Sequence, residues 1–495
     1  MTPDELLNGP RFRRAVVSIQ RRAEKELDWK RVADVFVRSD LLDRVQARAT
    51  QLILGRRGTG KTHLIRVFHE EAVCQGDMAV YLDCTHLGSG YTGLKLAPRI
   101  IAQKYFIALL NDLGTELFDQ AVRMELPEGE RQQAIIGRLS EGLMPQLRFP
   151  TLEDQGPDFN YRQIVDLFSQ VVELFKARTL FIILDEWAQI PRDAQAYFAE
   201  YVKRAIACVP TVALKILAVN YQCAFSFHEN DNLIGLERGA DITDTIDLDR
   251  YLVYDEKSDF VKLFFAQLLY NHLGVELDWP LDIAPEEKRK WIVGKLFTQE
   301  RAFIELVRAA EGNARDFLCI FSKAFFDEYR RASNSNSISI PNVVAAATTW
   351  FDQEKAANVL AEPEARETLL HIMEKVLKGY KSRTFLVESS KAEHPRLLRL
   401  LNERVLHRLN ETYSHPDRPG VRYDIFTVDY GTYARFRDTV NQVEDHVFLD
   451  RDKRGQLNSA EQSLWVPVDD NRSIRRIVFD PLKLDAQQWL PGMSP

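Results

Sequence analysis

The sequence predicts an α/β fold: a parallel sheet covered by helices on both faces, followed by a helical unit and a smaller C-terminal unit of mixed helix and strand. Three observations predict it. Apolar runs at 50–54, 78–84, 179–184 and 213–219 alternate with helical stretches, and strands that lack an in/out alternation belong to a sheet buried on both faces. A glycine-rich turn at 55–62 separates the first run from a helix. Past residue 255 the strand signal fades into helical text, which becomes mixed again near 355. Strands alternating with helices require crossover connections, and those build a parallel sheet.

At 495 residues the chain is too long for one core. The text divides into an N-terminal helical segment (1–34), an α/β core (35–250), a helical lid (251–352), a winged-helix-like domain (353–440) and a C-terminal extension (441–495). Hydrophobic residues make up 45% and charged residues 28%, as in ordinary globular proteins. No apolar run reaches the ~18 residues of a membrane span, and the start MTPDELLNGPRFRR has no secretion-signal core. A cytoplasmic protein with no membrane association is expected. Five scattered cysteines without a CxxC pair exclude a zinc ribbon or a disulfide framework. A net charge of −7 excludes a uniformly basic coat, so any nucleic-acid contact must be regional.

In chain order, 50–54 is a strand and Thr62 to Glu71 a helix. Met78 to Cys84, Thr179 to Leu184, Ala213 to Val219 and Thr245 to Leu248 are the further strands. Helices are expected at Ser258 to Leu273, Phe303 to Ala310 and Asn313 to Tyr329, and Ser333 to Ser339 reads as a surface loop. A helix (Glu364 to Leu377), a strand (Thr384 to Glu388), a helix (Pro395 to Leu409) and β-like text (Val421 to Val428) follow, an order that suits a winged helix. The segments 464–468 and 474–479 are either an added sheet edge or a peptide that docks on a partner.

Residues 55–62, GRRGTGKT, fit GxxxxGK[ST] in full, between a strand and a helix. Gly55, Gly58, Thr59 and Gly60 form a turn whose amides face phosphate oxygens, a conformation that side chains obstruct. Lys61 would reach the β- and γ-phosphates of ATP and Thr62 would ligate Mg2+, with the helix N-terminus adding its positive dipole end. Arg56 and Arg57 read as solvated loop residues and carry no assigned role.

Phe181 to Leu184 is an apolar strand that ends on Asp185 and Glu186. Ligands of parallel sheets sit at the carboxyl ends of strands. Asp185 would hold the metal and Glu186 would act as general base toward water. By itself such a pair is also an ordinary strand-to-helix cap. Asn220, at the end of the next strand, would orient the same water, or it simply forms a turn.

Together these residues resemble the AAA+ ATPases, and within them the origin-recognition and replication-initiator clade. VYLDC (80–84), LDE (184–186), LAVN (217–220) and GNARD (312–316) are similar to that clade's second strand, Walker B, sensor 1 and sensor 2 elements. The resemblance implies that Arg315 reaches the γ-phosphate from the lid. It also implies that an arginine finger, Arg238 or alternatively Arg204, acts on a neighbouring subunit's ATP, so a homo- or hetero-oligomer that shares its sites is expected. Arg56-Arg57 replaces the clade's proline-rich loop start, and 85–160 is longer than the core needs, so the chain reads as a specialised relative and not as an initiator.

Between Leu370 and Ile425 basic residues exceed acidic ones by four. Arg396, Arg399, Arg404 and Arg408 would lie outward on the helix from Pro395, opposite Leu398, Leu401, Val405 and Leu409. Arg418 and Arg422 would flank the wing. The leading expectation is an ATPase switch that acts on double-stranded DNA. The alternative is a nucleotide-gated scaffold or sensor, for example in phage defence, whose C-terminal domain binds a companion protein.

Overall fold

A computed structural model describes residues 9–19, 28–88, 96–123, 159–252, 258–331, 337–380, 382–415, 418–439 and 477–486. The chain divides into two compact units, Ala23–Leu248 and a second built from Met1–Arg22 with Asp249–Pro495.

The first unit is a five-stranded parallel sheet. Its strands are β1 (Gln51–Leu54), β2 (Met78–Asp83), β3 (Leu180–Asp185), β4 (Val212–Ala218) and β7 (Asp244–Asp247), in the order β2-β3-β4-β1-β7. β1, β3 and β4 are buried along their whole length, which is why their sequences run apolar without alternation. Helices α1 (Lys61–Cys74), α2 (Pro98–Arg123), α3 (Tyr161–Leu174) and α4 (Arg192–Val202) cover the sheet. The chain leaves β1, crosses to β2 at the edge, and returns through β3 and β4 to β1's flank. The strand order therefore reverses beside β1, where a parallel sheet opens a crevice at its carboxyl end. This is the fold class expected from the sequence.

One hairpin was not expected: β5 (Ser226–Glu229) and β6 (Asn232–Gly235), antiparallel and joined by Asn230 and Asp231. Both turn residues have positive φ, 47° and 63°. That is the two-residue turn whose twist suits a hairpin, and Asn and Asp are the non-glycine residues that tolerate its positive φ.

Lys215 on β4 is fully buried. Its Nζ donates to the Ala47 and Ala49 carbonyls and to Gln51 Oε1, beside the rings of Phe68 and Phe181. Burial pulls its pKa down to about 7, against the attraction of Asp244. A lysine whose folded pKa lies below its unfolded value near ~10.4 takes up a proton on unfolding, so stability rises as pH climbs from 7. Wild type should gain about 2 kcal/mol on Lys215→Met between pH 7 and 9 in urea denaturation. A gap that stays constant over that range would mean that Lys215 keeps its proton in the fold and would refute the lowered pKa.

In the second unit, helices α5 (Ser258–Leu277), α6 (Glu300–Ala309), α7 (Ala314–Arg331) and α8 (Ile340–Phe351) pack together. After α9 (Pro363–Ile372) comes a three-stranded antiparallel sheet, β8 (Thr384–Glu388), β9 (Leu406–Ser414) and β10 (Arg422–Val428), in the order β8-β10-β9. Helix α10 (Pro395–Asn402) lies between β8 and β9 in sequence. The sequence expects this helix to reach Leu409, but it ends seven residues earlier. Arg404 adopts φ 60°, its N–H donates to the Leu401 carbonyl and the Val405 N–H to the Leu400 carbonyl. This is a Schellman cap with arginine where glycine is usual. The buried stripe is consequently Leu397, Leu400, Leu401 and Val405, with Leu398 and Leu409 only half-buried.

Residues 477–479 extend the β8 edge: the Leu386 N–H donates to the Ile477 carbonyl and the Phe479 N–H to the Leu386 carbonyl, each at 2.8 Å. Of the two expectations for this stretch, sheet edge describes these three residues. Residues 464–468, 474–476 and 333–336 lie outside the described residues.

A buried charge cluster joins the helices of this unit to its sheet. Lys355 Nζ lies 2.9 Å from Asp316 and 2.7 Å from Asp429. Arg404 pairs with Asp316 at 2.8 Å, and His407 Nε2 meets Asp429 at 2.9 Å. Among the described residues, no helix is long and apolar enough to cross a membrane.

Candidate functional site

The glycine turn leaves β1 at Gly55, whose N–H donates to the Ala218 carbonyl of β4 at 3.2 Å. A Cβ on Gly55 would stand 2.6 Å from Thr59 Oγ1, and Gly58 and Gly60 take φ of 91° and 96°. Both observations fit a loop folded around a phosphate. Lys61, at the N-terminus of α1, is buried, and its Nζ donates to the Gly55 carbonyl at 2.6 Å and the Arg56 carbonyl at 3.2 Å. An ammonium resting on its own loop's carbonyls lies where a phosphate oxygen could take over as acceptor.

β3 delivers Asp185 to the same place, although 123 residues separate it from Thr62. Thr62 Oγ1 donates to Asp185 Oδ2 at 2.9 Å. The Tyr81 hydroxyl, from β2, donates to the same oxygen at 2.7 Å, and the Glu186 N–H donates to Oδ1 at 2.7 Å. A buried carboxylate holding a hydroxyl of the phosphate loop has the hard oxygen donors that Mg2+ prefers. Tyr81 is a candidate site residue that sequence reasoning missed; a hydroxyl at 81 inside the mostly apolar run 78–82 was the signal. Burial, then the Asp185 charge, pushes its phenol well above the usual range.

Glu186 follows in the left-handed region, φ 52°, a conformation that costs a non-glycine residue about 1 to 3 kcal/mol and is retained where its surroundings demand it. Burial raises its pKa, Asp185 adds to the rise, and Lys61 and Arg57 oppose it. Asn220 lies two residues past the end of β4, half-buried, between the strands that carry the glycine loop and the acidic pair.

The turn carrying Arg238 is held by Asp241, which accepts from the Glu237 N–H at 2.9 Å and pairs with Lys203 at 2.6 Å. Arg238 itself is exposed, with its guanidinium 5.7 Å from the Phe225 ring. The alternative, Arg204, pairs with Glu200 at 2.5 Å. Arg315 belongs to the second unit, in the first turn of α7. There Gly312 takes φ 73° and a Cβ on it would meet the Leu252 carbonyl at 2.8 Å, while Asn313 Oδ1 accepts from the Asp316 N–H at 3.0 Å.

The basic residues of the C-terminal sheet region do not form the outward row expected of them. Arg396 pairs with Glu367 at 2.9 Å, Arg404 with Asp316, and Arg408 with the buried Asp424. All three side chains are largely covered, because Arg404 and Arg408 fall beyond the true helix end and face carboxylates across the fold. Arg399 is exposed but meets Glu362 at 2.5 Å. Arg418 and Arg422 are exposed near the β9–β10 connection, bonding the Tyr423 hydroxyl and Ser414 Oγ respectively.

Residues 20–85, which include the glycine loop and β2, match the family model described as ORC-CDC6-like. A search of curated protein sequences returns no match. Among solved structures, the chain is similar to the Aeropyrum pernix ORC1 protein in complex with DNA, at 14% identity and a TM-score of 0.32, over 86% of this chain and 96% of that one. It is similar to Drosophila ORC bound to DNA at 10% identity and 0.30, over 84% and 93%. It is also similar to Thermotoga maritima RuvB at 11% identity and 0.33, over 80% and 91%.

Proposed function

We propose that this AAA+-type P-loop chain, similar to ORC-CDC6-like proteins over residues 20–85, binds ATP with Mg2+ and hydrolyses it to drive a conformational switch. The bond from Thr62 to Asp185 carries the reading, because it joins the glycine loop and the carboxylate strand at one point. The amides of 58–61 and Lys61 Nζ would cradle the β- and γ-phosphates, and Thr62 with Asp185 would hold Mg2+. When bound there, Mg2+ neutralises charge on the phosphate oxygens. Glu186 takes the proton of the attacking water and Asn220 orients that water. Arg315 reads the γ-phosphate from the second unit, and Arg238, exposed on its braced turn, serves a neighbouring subunit's site.

The same proposal gives residues 353–440 a winged-helix role on double-stranded DNA, with Arg399, Arg418 and Arg422 as the phosphate-directed contacts. Arg396, Arg404 and Arg408 are covered and paired with carboxylates, and the exposed Arg399 also meets Glu362. That pairing favours a second reading, a nucleotide-gated scaffold or sensor whose C-terminal module binds a companion protein. Phosphate release with Mg2+ separates the two. The DNA reading expects turnover to rise severalfold with duplex DNA at ~50 mM salt, and the rise to vanish in Arg399→Ala/Arg418→Ala/Arg422→Ala. An absence of DNA binding at that salt selects the scaffold. In the same assay, mixing Arg238→Ala with Lys61→Ala subunits should restore part of the activity, and no restoration removes Arg238 from the site.

A further inference from the structure

We infer that Gln195 is the positioning residue that sets Glu186 and Asn220 against each other; this deepens the hydrolytic reading above and rests on it. Gln195 lies in the first turn of α4 and is fully buried. Its amide serves two separate turns. Nε2 donates to the Ile190 carbonyl at 2.9 Å and the Gln222 carbonyl at 3.2 Å, while Oε1 accepts from the Ala224 N–H at 2.6 Å. Two carbonyls and one N–H fix which end of the amide is which, and only a neutral carboxamide supplies two donors and an acceptor in that arrangement.

Each turn carries one residue of the proposed chemistry. Glu186 opens the first, where the Gln189 N–H donates to the Glu186 carbonyl at 2.9 Å and the Ile190 N–H to the Trp187 carbonyl at 3.2 Å. A displacement at Ile190 is thus passed to the Glu186 backbone through one tight loop. Asn220 lies within the second, closed by the Gln222 N–H donating to the Val219 carbonyl at 3.2 Å, with Tyr221 at φ 67°. β3 and β4 fix where these turns begin, 

but the strands end at Asp185 and Ala218, so neither ladder holds the residues beyond. The Gln195 amide spans that gap, so the general base and the water-orienting amide keep their spacing. The loop that grips phosphate has no bond to Gln195 among those described above, so binding and turnover separate.

The test is steady-state ATP hydrolysis by the full chain for wild type, Gln195→Met and Gln195→Glu. In Gln195→Met three backbone groups, one buried and two part-buried, lose their partner, and kcat should fall on the order of 10²-fold with KM for ATP changed less than about threefold, since misplacement of reacting groups by about 1 Å has that effect on rate. In Gln195→Glu the ionised carboxylate faces two carbonyls, and protonation returns one donor. Its burial raises the pKa of that carboxyl, so its kcat relative to wild type should recover as pH falls from 8 to 6. That recovery keeps the test open where Gln195→Met does not fold. Unchanged kcat in folded variants, equal loss in kcat and affinity, or a wild-type pH profile in Gln195→Glu overturns the inference alone. A wild-type chain that binds ATP without hydrolysing it overturns the hydrolytic reading itself, and the inference with it.

Discussion

Glu186→Gln is expected to lower ATP turnover by about 10² to 10⁴-fold, the usual contribution of a positioned general base, while nucleotide binding stays near wild type. The glutamine keeps the size and the strained backbone position of the residue it replaces but cannot take a proton. The glycine loop proposed to hold phosphate is built from 55–62 and does not include residue 186. Wild-type turnover should itself fall on the acid side earlier than an ordinary carboxylate would dictate, because burial and the neighbouring Asp185 hold Glu186 above its usual range. A general base works ionised, and a raised pKa moves the loss of the ionised form to higher pH. Phosphate release measured alongside fluorescent-nucleotide binding checks both parts. A variant that turns over within a few-fold of wild type would remove Glu186 from the chemistry.

Lys355→Met should destabilise the C-terminal unit by about 3 to 5 kcal/mol, the loss found when one member of a buried ion cluster is removed and its partners stay charged. Asp316 and Asp429 are both almost completely buried, and Lys355 stands between them. Burial pushes the Asp316 pKa up, but Lys355 and Arg404 more than reverse this and hold it low. Burial likewise pulls Lys355 down, and Asp316 and Asp429 outweigh it. The signs follow. The contribution of Asp316 is complete above its unfolded pKa near ~3.9 and is lost as pH falls through the lower folded value; that of Lys355 is complete below ~10.4 and is lost as pH rises through the higher one. The contribution of this pair to wild-type stability should therefore be flat from pH 5 to 9, and the Lys355→Met loss is read at pH 7 from hydrogen exchange of the α7 amides. Lys355→Met/Asp429→Asn should recover part of it, since Asp316 keeps Arg404 and the second buried anion is gone. A loss under 1 kcal/mol would mean that the cluster is hydrated and not sealed.

Arg404 illustrates how a correct local reading can reach the wrong conclusion. The apolar spacing after Pro395 does describe a helix, but nothing in that spacing announces a left-handed arginine at its end, because the usual glycine is missing. The ion pair with Asp316, 88 residues away, compensates the conformation. The helix stops at Asn402, and two arginines expected to face outward become structural.

Some of this protein is local in origin, and the sequence alone determined it. A glycine turn between a strand and a helix is written in eight consecutive residues, since its backbone geometry excludes side chains wherever it occurs. Strands buried on both faces run mostly apolar, which made β1 to β4 visible despite Gln51 and Lys215, and the two carboxylates stood out against β3. Which groups face one another is a different matter, decided by strand order and packing. Tyr81 meets Asp185 because β2 lies beside β3, and Gln195 bridges two turns because α4 packs beneath them. Arg396 and Arg408 are neutralised by carboxylates supplied from other elements. Hydrogen bonds and ion pairs act over about 3 Å, whereas the residues they join lie tens of positions apart in sequence, so only the tertiary fold could assign those partners.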